Sequence, residues 1–428
     1  MTKTCVSLFS NTGFGDLGLE KANFATIVAN ELLADRAELF QKNFPDTNVI
    51  VGDIWEVQEN IVQSALTTLN GERLYAMIVS NPCQSWSSNG KGRMNKQIKN
   101  GKREEDDPRS SLIIPAINII EKLAPKCLIF ENVSGMRHGE ILNENDEYEN
   151  ILSILYRRLP NYVFRSCVLN TCDYGVPQNR KRLITIAIDK DFTNEERIEN
   201  YFSDELSAFH PPKTHGDTIH PHITLGNAIN HLPKLDALQK LQDEDDIFHR
   251  VPTWNQMQYF AMQHTNEDDT AFNNKTCVHC GNVTEDLKVA YCIHCNELLP
   301  RPVKLLKDNT YRVVKAFKTA YRRQSMLRPA NTLTMNSGVI SSDVKGHYNQ
   351  NRVLSLREIM IISSLCSYPG CEEVTFEYEF PEDNDKLVRD CLGEAIPPLL
   401  TYKIACHLDG LLNFKIKDQE DTEVLDVM

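Results

Sequence analysis

Short apolar runs recur along the first part of the chain, each ending in polar or turn-forming residues. Residues 6–10, 25–31, 49–54 and 74–79 carry no helical period and read as buried strands. Helix-length segments separate them, which predicts an α/β fold built on a doubly wound parallel sheet. Residues 109–123 differ. Their apolar positions Leu112, Ile113, Ala116, Ile119, Ile120 and Leu123 follow a period near 3.6, so this stretch reads as a helix closed by Pro125. Residues 127–133 and 183–188 return to strand. His210-Pro211-Pro212 and Pro221 mark a turn-rich linker, and residues 223–229 begin a helix. Residues 398–412 form a last helix that should pack back on the first sheet, and the acidic residues after Lys415 read as a frayed tail.

The polar residues that stop these runs carry the candidate chemistry. Gly13, Gly15 and Gly18 lie between a strand and a helix, where missing side chains allow either close approach of a nucleotide-like cofactor or a plain tight turn. Glu31 and Asp53 follow strands, where an acid either takes ribose hydroxyls or caps a helix. Pro82 ends the fourth run and Cys83 follows it, either as a reactive thiol or as a small buried apolar residue. The stretch 85–103 is rich in Ser, Gly, Lys and Arg and reads as a cationic loop. Glu131 closes an apolar strand and could carry a proton to a substrate. Arg180 and Arg182 would share a face in extended chain and suit a phosphate or a carbonyl oxygen, or stand as surface cations.

Composition narrows the class. A length of 428 residues accommodates two domains, and 25% charged with 41% hydrophobic residues is an ordinary globular mix. No apolar run approaches the roughly 18 residues of a membrane helix, and the chain enters its first strand without a leader, which suggests a cytoplasmic protein. Thirteen cysteines, mostly scattered, fit a reducing compartment better than a disulfide framework. The net charge of −13 excludes a globally basic nucleic-acid coat but leaves room for a local basic patch. One such run interleaves aromatics with cations from Tyr311 through Arg312, Lys315, Phe317, Lys318, Tyr321, Arg322 and Arg323 to Arg328. It suits phosphate contacts, or else a solvated helix face. The acidic run 243–246 reads as solvated surface and 372–385 as an exposed insertion.

Cys277, Cys280, Cys292 and Cys295 form two C-x2-C pairs. That spacing is the signature of a structural four-thiolate Zn2+, with reduced free pairs or a redox pair as alternatives. His279 and His294 fall between the thiolates and outside the ligand set.

In order, Leu8-Phe9-Ser10 with Gly13, Gly15 and Gly18-Leu19-Glu20, then Gly52-Asp53-Ile54, Pro82-Cys83-Gln84, Glu131-Asn132-Val133, Gln178-Asn179-Arg180-Lys181-Arg182 and Gly393-Glu394-Ala395-Ile396-Pro397-Pro398 resemble the motifs of the cytosine-5 DNA methyltransferases. The resemblance implies a Rossmann-like methyltransferase domain at 1–191, completed by 390–428. A smaller target-recognition domain with hinge segments would span 192–389 and carry the zinc ribbon 277–295. It implies that Cys83 adds to carbon 6 of a flipped cytosine, that Glu131 protonates the ring, and that Arg182 and Arg180 hold the base carbonyl. The donor would be S-adenosyl-L-methionine. Phe9, Gly13 and Gly15 would line its methionine end, Glu31 its ribose, and Asp53 and Ile54 its adenine, with Pro82, Leu112, Glu394, Ala395 and Ile396 completing the pocket. Glu394 stands where the family usually has asparagine. Residues 328–334 and 352–358 resemble the family's hinge. Double-stranded DNA is the implied partner, in a restriction–modification or phage-defence setting with a cognate nuclease or other defence proteins. A transfer-RNA cytosine-5 methyltransferase and a catalytically inactive nucleic-acid-binding module are the alternatives.

Overall fold

A computed structural model describes residues 3–82, 108–143, 145, 147–193, 203, 205–317, 319–369 and 374–425. Cys83, the loop 85–103, Lys318 and Glu372 lie outside the described residues. Chain contacts divide the protein into two compact units. One comprises residues 1–174, 181–219 and 395–428, the other 175–180 and 220–394.

In the first unit the apolar runs become β1 (Lys3–Leu8), β2 (Phe24–Glu31), β3 (Asn48–Val51), β4 (Ala76–Val79), β5 (Cys127–Val133), β6 (Tyr162–Asn170) and β7 (Lys181–Asp189). They form one seven-stranded sheet in the order β3-β2-β1-β4-β5-β7-β6. β1 to β5 are parallel, while β7 inserts antiparallel to both β5 and β6, so the sheet is not wholly parallel as expected.

Strand alternation explains why these runs are apolar throughout, since both faces are covered. Val6, Leu8, Met77, Val79, Leu128 and Phe130 join one core with α3 (Ile54–Leu69), α4 (Ile113–Leu123) and α5 (Ile151–Arg158). Cys5, Ala76, Ile78, Cys127, Ile129 and Ile184 join the other with α1 (Phe14–Lys21) and the C-terminal helix Pro398–Leu425, through Leu19, Leu400, Ile404 and Leu408. α2 (Ala34–Asn43) crosses between β2 and β3.

Several boundaries moved. β3 stops at Val51, because Asp53 caps α3 and makes Ile54 its first residue. The stretch 109–123 splits into a 3-10 turn, Pro108–Leu112, and α4, where Pro115 fits the first turn because no intrahelical N–H is needed there. The last helix runs to Leu425 instead of fraying after Lys415.

The second unit has little regular structure: α6 (Leu225–Ile229), α7 (Gln256–Gln263), α8 (Leu356–Ile362), α9 (Asp385–Glu394) and a hairpin of β8 (Val303–Leu305) and β9 (Tyr311–Val313) are its longest elements. Its carbonyls therefore need other donors, and buried guanidiniums supply them. Arg323 donates to the carbonyls of Met262, Thr265, His347 and Gln350, and Arg301 to those of Asn274, Thr284, Asp286 and Val289. Arg352 forms a two-pronged pair with Glu358 at 2.6 and 2.7 Å, and Glu358 closes a capping box on Ser355 at the start of α8.

These contacts correct the surface readings. Asp246, expected in solvent, holds Arg357 at 2.5 and 2.9 Å, and Asp243 is buried. Asp385, at the end of the expected insertion, opens α9 and pairs with Arg250.

Candidate active site

Parallel strands deliver their C-terminal ends to one edge. In register, Leu8 lies beside Asn30 and Val79, Glu31 beside Val51, and Val79 beside Phe130. Phe9, Asp53 and Pro82 consequently follow their strands at the same edge, where Glu31 ends β2 and Glu131 lies near the end of β5.

The β1–α1 loop is tightly wound. Phe9 and Asn11 take left-handed backbone at φ +57° and +52°, and Gly13 at +85°. A Cβ on Gly13 would sit 2.4 Å from the Phe44 ring, so both backbone and space demand glycine. Gly15 faces Ile396, whose Cγ2 would lie 3.2 Å from an added Cβ.

The loop is tied to the end of β2. Asn11 N–H donates to Glu31 Oε2 at 2.9 Å, and Leu33 N–H donates to Oε1 at 3.0 Å. Burial raises the Glu31 pKa, while the Leu33 amide, Arg36 and the Asn11 amide pull the other way. Asn30 bridges onward to the Ile50 and Gly52 carbonyls. The Asp53 carboxylate is exposed and accepts from Trp55 N–H at 3.0 Å, and Ile54 is buried. Leu112 ends the 3-10 turn and packs on the first core.

Cys83 itself is outside the described residues, but the chain leading to it is held firmly. Ser80 N–H donates to the Leu8 carbonyl at 3.2 Å. Asn132 Nδ2 donates to the main-chain oxygen of Asn81 at 3.0 Å and to its Oδ1 at 3.3 Å, while Asn132 Oδ1 accepts from Val133 N–H. Asn132 thus clamps the approach to Cys83 against the strand that carries Glu131. Sequence reasoning placed Asn132 in a motif without giving it this role. Leu32, Val51 and Trp55 were also missed; all three are exposed at this edge, and the signal was an apolar residue within two positions of Glu31 or Asp53.

Glu131 is 8% exposed, and its Oε1 lies 2.8 Å from Arg182 Nε. β7 pairs Ile184 with Glu131 and Arg182 with Val133, so Arg182 reaches the acid diagonally.

Arg180 does not share that face. A break between the two-residue strand Gln178–Asn179 and β7 falls at Arg180. Its guanidinium is buried in the second unit, donating to the carbonyls of Leu333, Gly393 and Glu394 at 2.9–3.2 Å. Of the expected cofactor residues, Phe9, Gly13, Gly15, Glu31, Asp53, Ile54, Pro82, Leu112, Ala395 and Ile396 belong to the first unit and Glu394 to the second.

Also in the second unit, Cys277, Cys280, Cys292 and Cys295 bring their sulfurs within 4.8 Å of one another. Matching turns form the two knuckles: Gly281 N–H returns to the Cys277 carbonyl and Asn296 N–H to the Cys292 carbonyl, with both turn residues at positive φ. His279 lies 3.9 Å from Glu297 and is not part of the four-sulfur cluster. The aromatic–cation run beyond it is not one surface. Arg323 points inward, while Arg322 and Arg328 both pair with Asp268.

The family model for C-5 cytosine-specific DNA methylase matches residues 3–409. The type II methyltransferase M1.HgaI of Avibacterium volantium is 30% identical over 93% of this chain and 96% of its own length. The type II methyltransferase M1.HphI of Haemophilus parahaemolyticus is 24% identical over 95% and 86%. Among solved structures, a DNA modification methyltransferase encoded within an Escherichia coli prophage shares the fold at a TM-score of 0.58 and 16% identity, covering 96% of this chain and 99% of that one.

Proposed function

This chain belongs to the C-5 cytosine-specific DNA methylase family, and from that premise we propose how its residues divide the work of methylating DNA at cytosine carbon 5. The observation that carries the proposal is the single sheet edge that gathers the glycine loop, Glu31, the approach to Cys83 and the Glu131–Arg182 pair.

The donor is S-adenosyl-L-methionine, which when bound supplies a methyl group made electrophilic by its sulfonium. The residues present fit it. Glu31 keeps acceptor capacity for ribose hydroxyls beyond its two amide bonds. Gly13 and Gly15 leave the loop bare for the methionine end, with Phe9, Pro82, Leu112, Ala395 and Ile396 around it. Asp53 and Ile54, together with the exposed Leu32, Val51 and Trp55, offer the adenine a polar edge and apolar faces.

The Cys83 thiolate adds to carbon 6 of a cytosine turned out of the duplex, and the electron pair of the ring double bond moves toward carbon 5. Glu131 places a proton on ring nitrogen 3, and Arg182 holds both that carboxyl and the base carbonyl oxygen. Once carbon 5 is methylated, its proton leaves to a base, the double bond reforms, the proton on ring nitrogen 3 returns to Glu131 and Cys83 is expelled as thiolate. Arg180 takes a structural part within the second unit, fixing the carbonyl of Glu394.

The second unit is the target-recognition part. Its four sulfurs hold a structural Zn2+: Sγ separations of 3.5 Å for Cys277–Cys295 and 3.7 Å for Cys280–Cys292 approach the edge of a tetrahedron with Zn–S near 2.3 Å, about 3.8 Å. A cognate nuclease whose site the enzyme protects would complete the system, a reading supported by the similarity to type II methyltransferases.

The test is transfer of labelled methyl from S-adenosyl-L-methionine to mixed-sequence duplex DNA, with transfer RNA and a Cys83→Ala protein in parallel. Label on DNA cytosine, absent with Cys83→Ala, is the expected result. Label on RNA alone, or label that survives in the variant, would overturn the reading.

A further inference from the structure

Within a chain of net charge −13, residues 303–315 hold four cations, Lys304, Lys307, Arg312 and Lys315, against one carboxylate, Asp308. β8 and β9 pair antiparallel with Lys304 directly opposite Arg312. Residues directly opposite in such a pair project from the same face, and like charges there repel. Elsewhere in this unit cations are commonly matched: Lys275 meets Glu285, Arg357 meets Asp246, and Arg322 and Arg328 meet Asp268. None of the four hairpin cations has an ion-pair partner among the described residues. Asp308 makes no ion pair with them; its Oδ1 accepts from the Thr310 amide at 3.1 Å and hydroxyl at 2.7 Å.

The hairpin is nonetheless firmly seated. Val314 N–H donates to the Pro302 carbonyl at 2.9 Å and closes its base, and Val314 packs on the core of Trp254, Met262 and Ile340. Alternation puts Val303, Tyr311 and Val313 on the face away from the Lys304–Arg312 pair, and all three are half-buried. Tyr291, one residue before the metal-knuckle Cys292, accepts the Tyr311 amide with its hydroxyl at 2.8 Å. A fixed strand pair therefore holds Lys304 and Arg312 against their mutual repulsion, with Lys307 and Lys315 exposed and Phe317 77% exposed just beyond.

We propose that the Lys304–Arg312 face of this hairpin is a contact surface for the phosphate backbone of duplex DNA, buttressed by the zinc ribbon through Tyr291. A two-stranded ribbon is narrow enough to enter or straddle a major groove about 12 Å wide. Its cations act on phosphates and so set affinity and placement without reading bases. The inference rests on the reading of the chain as a DNA methyltransferase and assigns it a part of the surface the DNA touches.

The experiment compares the full-length protein with a Lys304→Gln/Arg312→Gln variant. It measures binding to fluorescent duplex DNA across a salt series, together with steady-state methylation. Losing two phosphate contacts should lower the slope of log affinity against log salt by about 1.8. KM for DNA should rise about tenfold at physiological salt, with kcat, donor binding and melting temperature unchanged. Tyr291→Phe, which removes no charge, should weaken DNA binding by a smaller factor. A wild-type salt slope and KM in the double variant, with DNA methylation intact, overturns this inference alone. Failure of the wild-type protein to methylate DNA overturns the functional reading instead.

Discussion

Arg180 and Arg182 carry the same side chain two positions apart and meet opposite fates. Arg182 stands at the exposed end of β7 against Glu131, whereas Arg180 is spent on three residues' carbonyls. On the proposed mechanism, Arg182→Met should lower kcat by about 100-fold, because it removes a charge aimed at the reacting base. Arg180→Met should strand the Leu333 and Gly393 oxygens and cost about 2–4 kcal/mol in urea unfolding. Equal effects of the two substitutions on turnover and stability would refute this division. A third residue makes a pH prediction. Asp16 is on the buried face of α1, held by Ser7 at 3.0 Å and Thr26 at 2.9 Å, and burial lifts its pKa from 3.8 to about 7. Between those values the native state keeps a proton that the unfolded chain has lost, so its contribution to stability falls as pH rises from about 4 to 7 and is flat above. Asp16→Asn keeps both hydrogen-bonding neighbours without the charge. It should stabilise the protein at pH 8 by up to about 4 kcal/mol and far less at pH 4, in melts run at both pH values.

Elements meet most closely where α1 crosses the C-terminal helix at Gly18. A Cβ there would lie 2.1 Å from Thr401 Oγ1, 2.3 Å from the Pro398 carbonyl and 2.6 Å from Tyr402 N. Gly18→Ala should cost about 1–3 kcal/mol in urea midpoint measurements. Adding Thr401→Ala should not restore the loss, because two of the three obstacles are main chain; full rescue would show that the contact is looser than this. The same crossing shows what a sequence can disclose. β5 spans the residues its apolar run indicated, since a strand buried on both faces has no other pattern. The acid at its end and the glycines after β1 were legible for the same reason, because their positions follow from where strands stop. The antiparallel entry of β7 was not legible, since a buried run looks alike in either direction. Nor was the second unit, where burial is carried by Arg323, Arg352 and Glu358, residues that any hydropathy pattern assigns to solvent. The Lys304–Arg312 juxtaposition likewise needed the strand register, although the cation run itself was plain.

At the scale of the whole molecule the two units resist unfolding by different means. The first rests on two apolar cores, and the second on a smaller apolar core, buried ion pairs and a four-cysteine cluster. The second should therefore be the one that acid loosens. Burial would raise the Glu358 pKa, but the Arg352 guanidinium overrides it and holds the carboxyl down to about 2 from 4.5. His347, fully buried, accepts the Asn349 and Gln350 amides at Nδ1, and burial followed by the Arg352 charge pushes its pKa from 6.5 to about 3. In both cases the unfolded chain binds protons that the native state refuses, so stability drains as pH falls. His347 acts from about 6.5 to 3, and Glu358 from about 4.5 to 2. Hydrogen exchange corrected for intrinsic rates should show the α8 amides, Leu356–Ile362, losing protection between pH 7 and 4 while those of β4 and β5 hold theirs. His347→Gln should remove the upper part of that loss, because an amide in its place has nothing to protonate. Protection of α8 that stays constant down to pH 4 would mean that the network of Arg352, Glu358 and His347 is not what holds the second unit together.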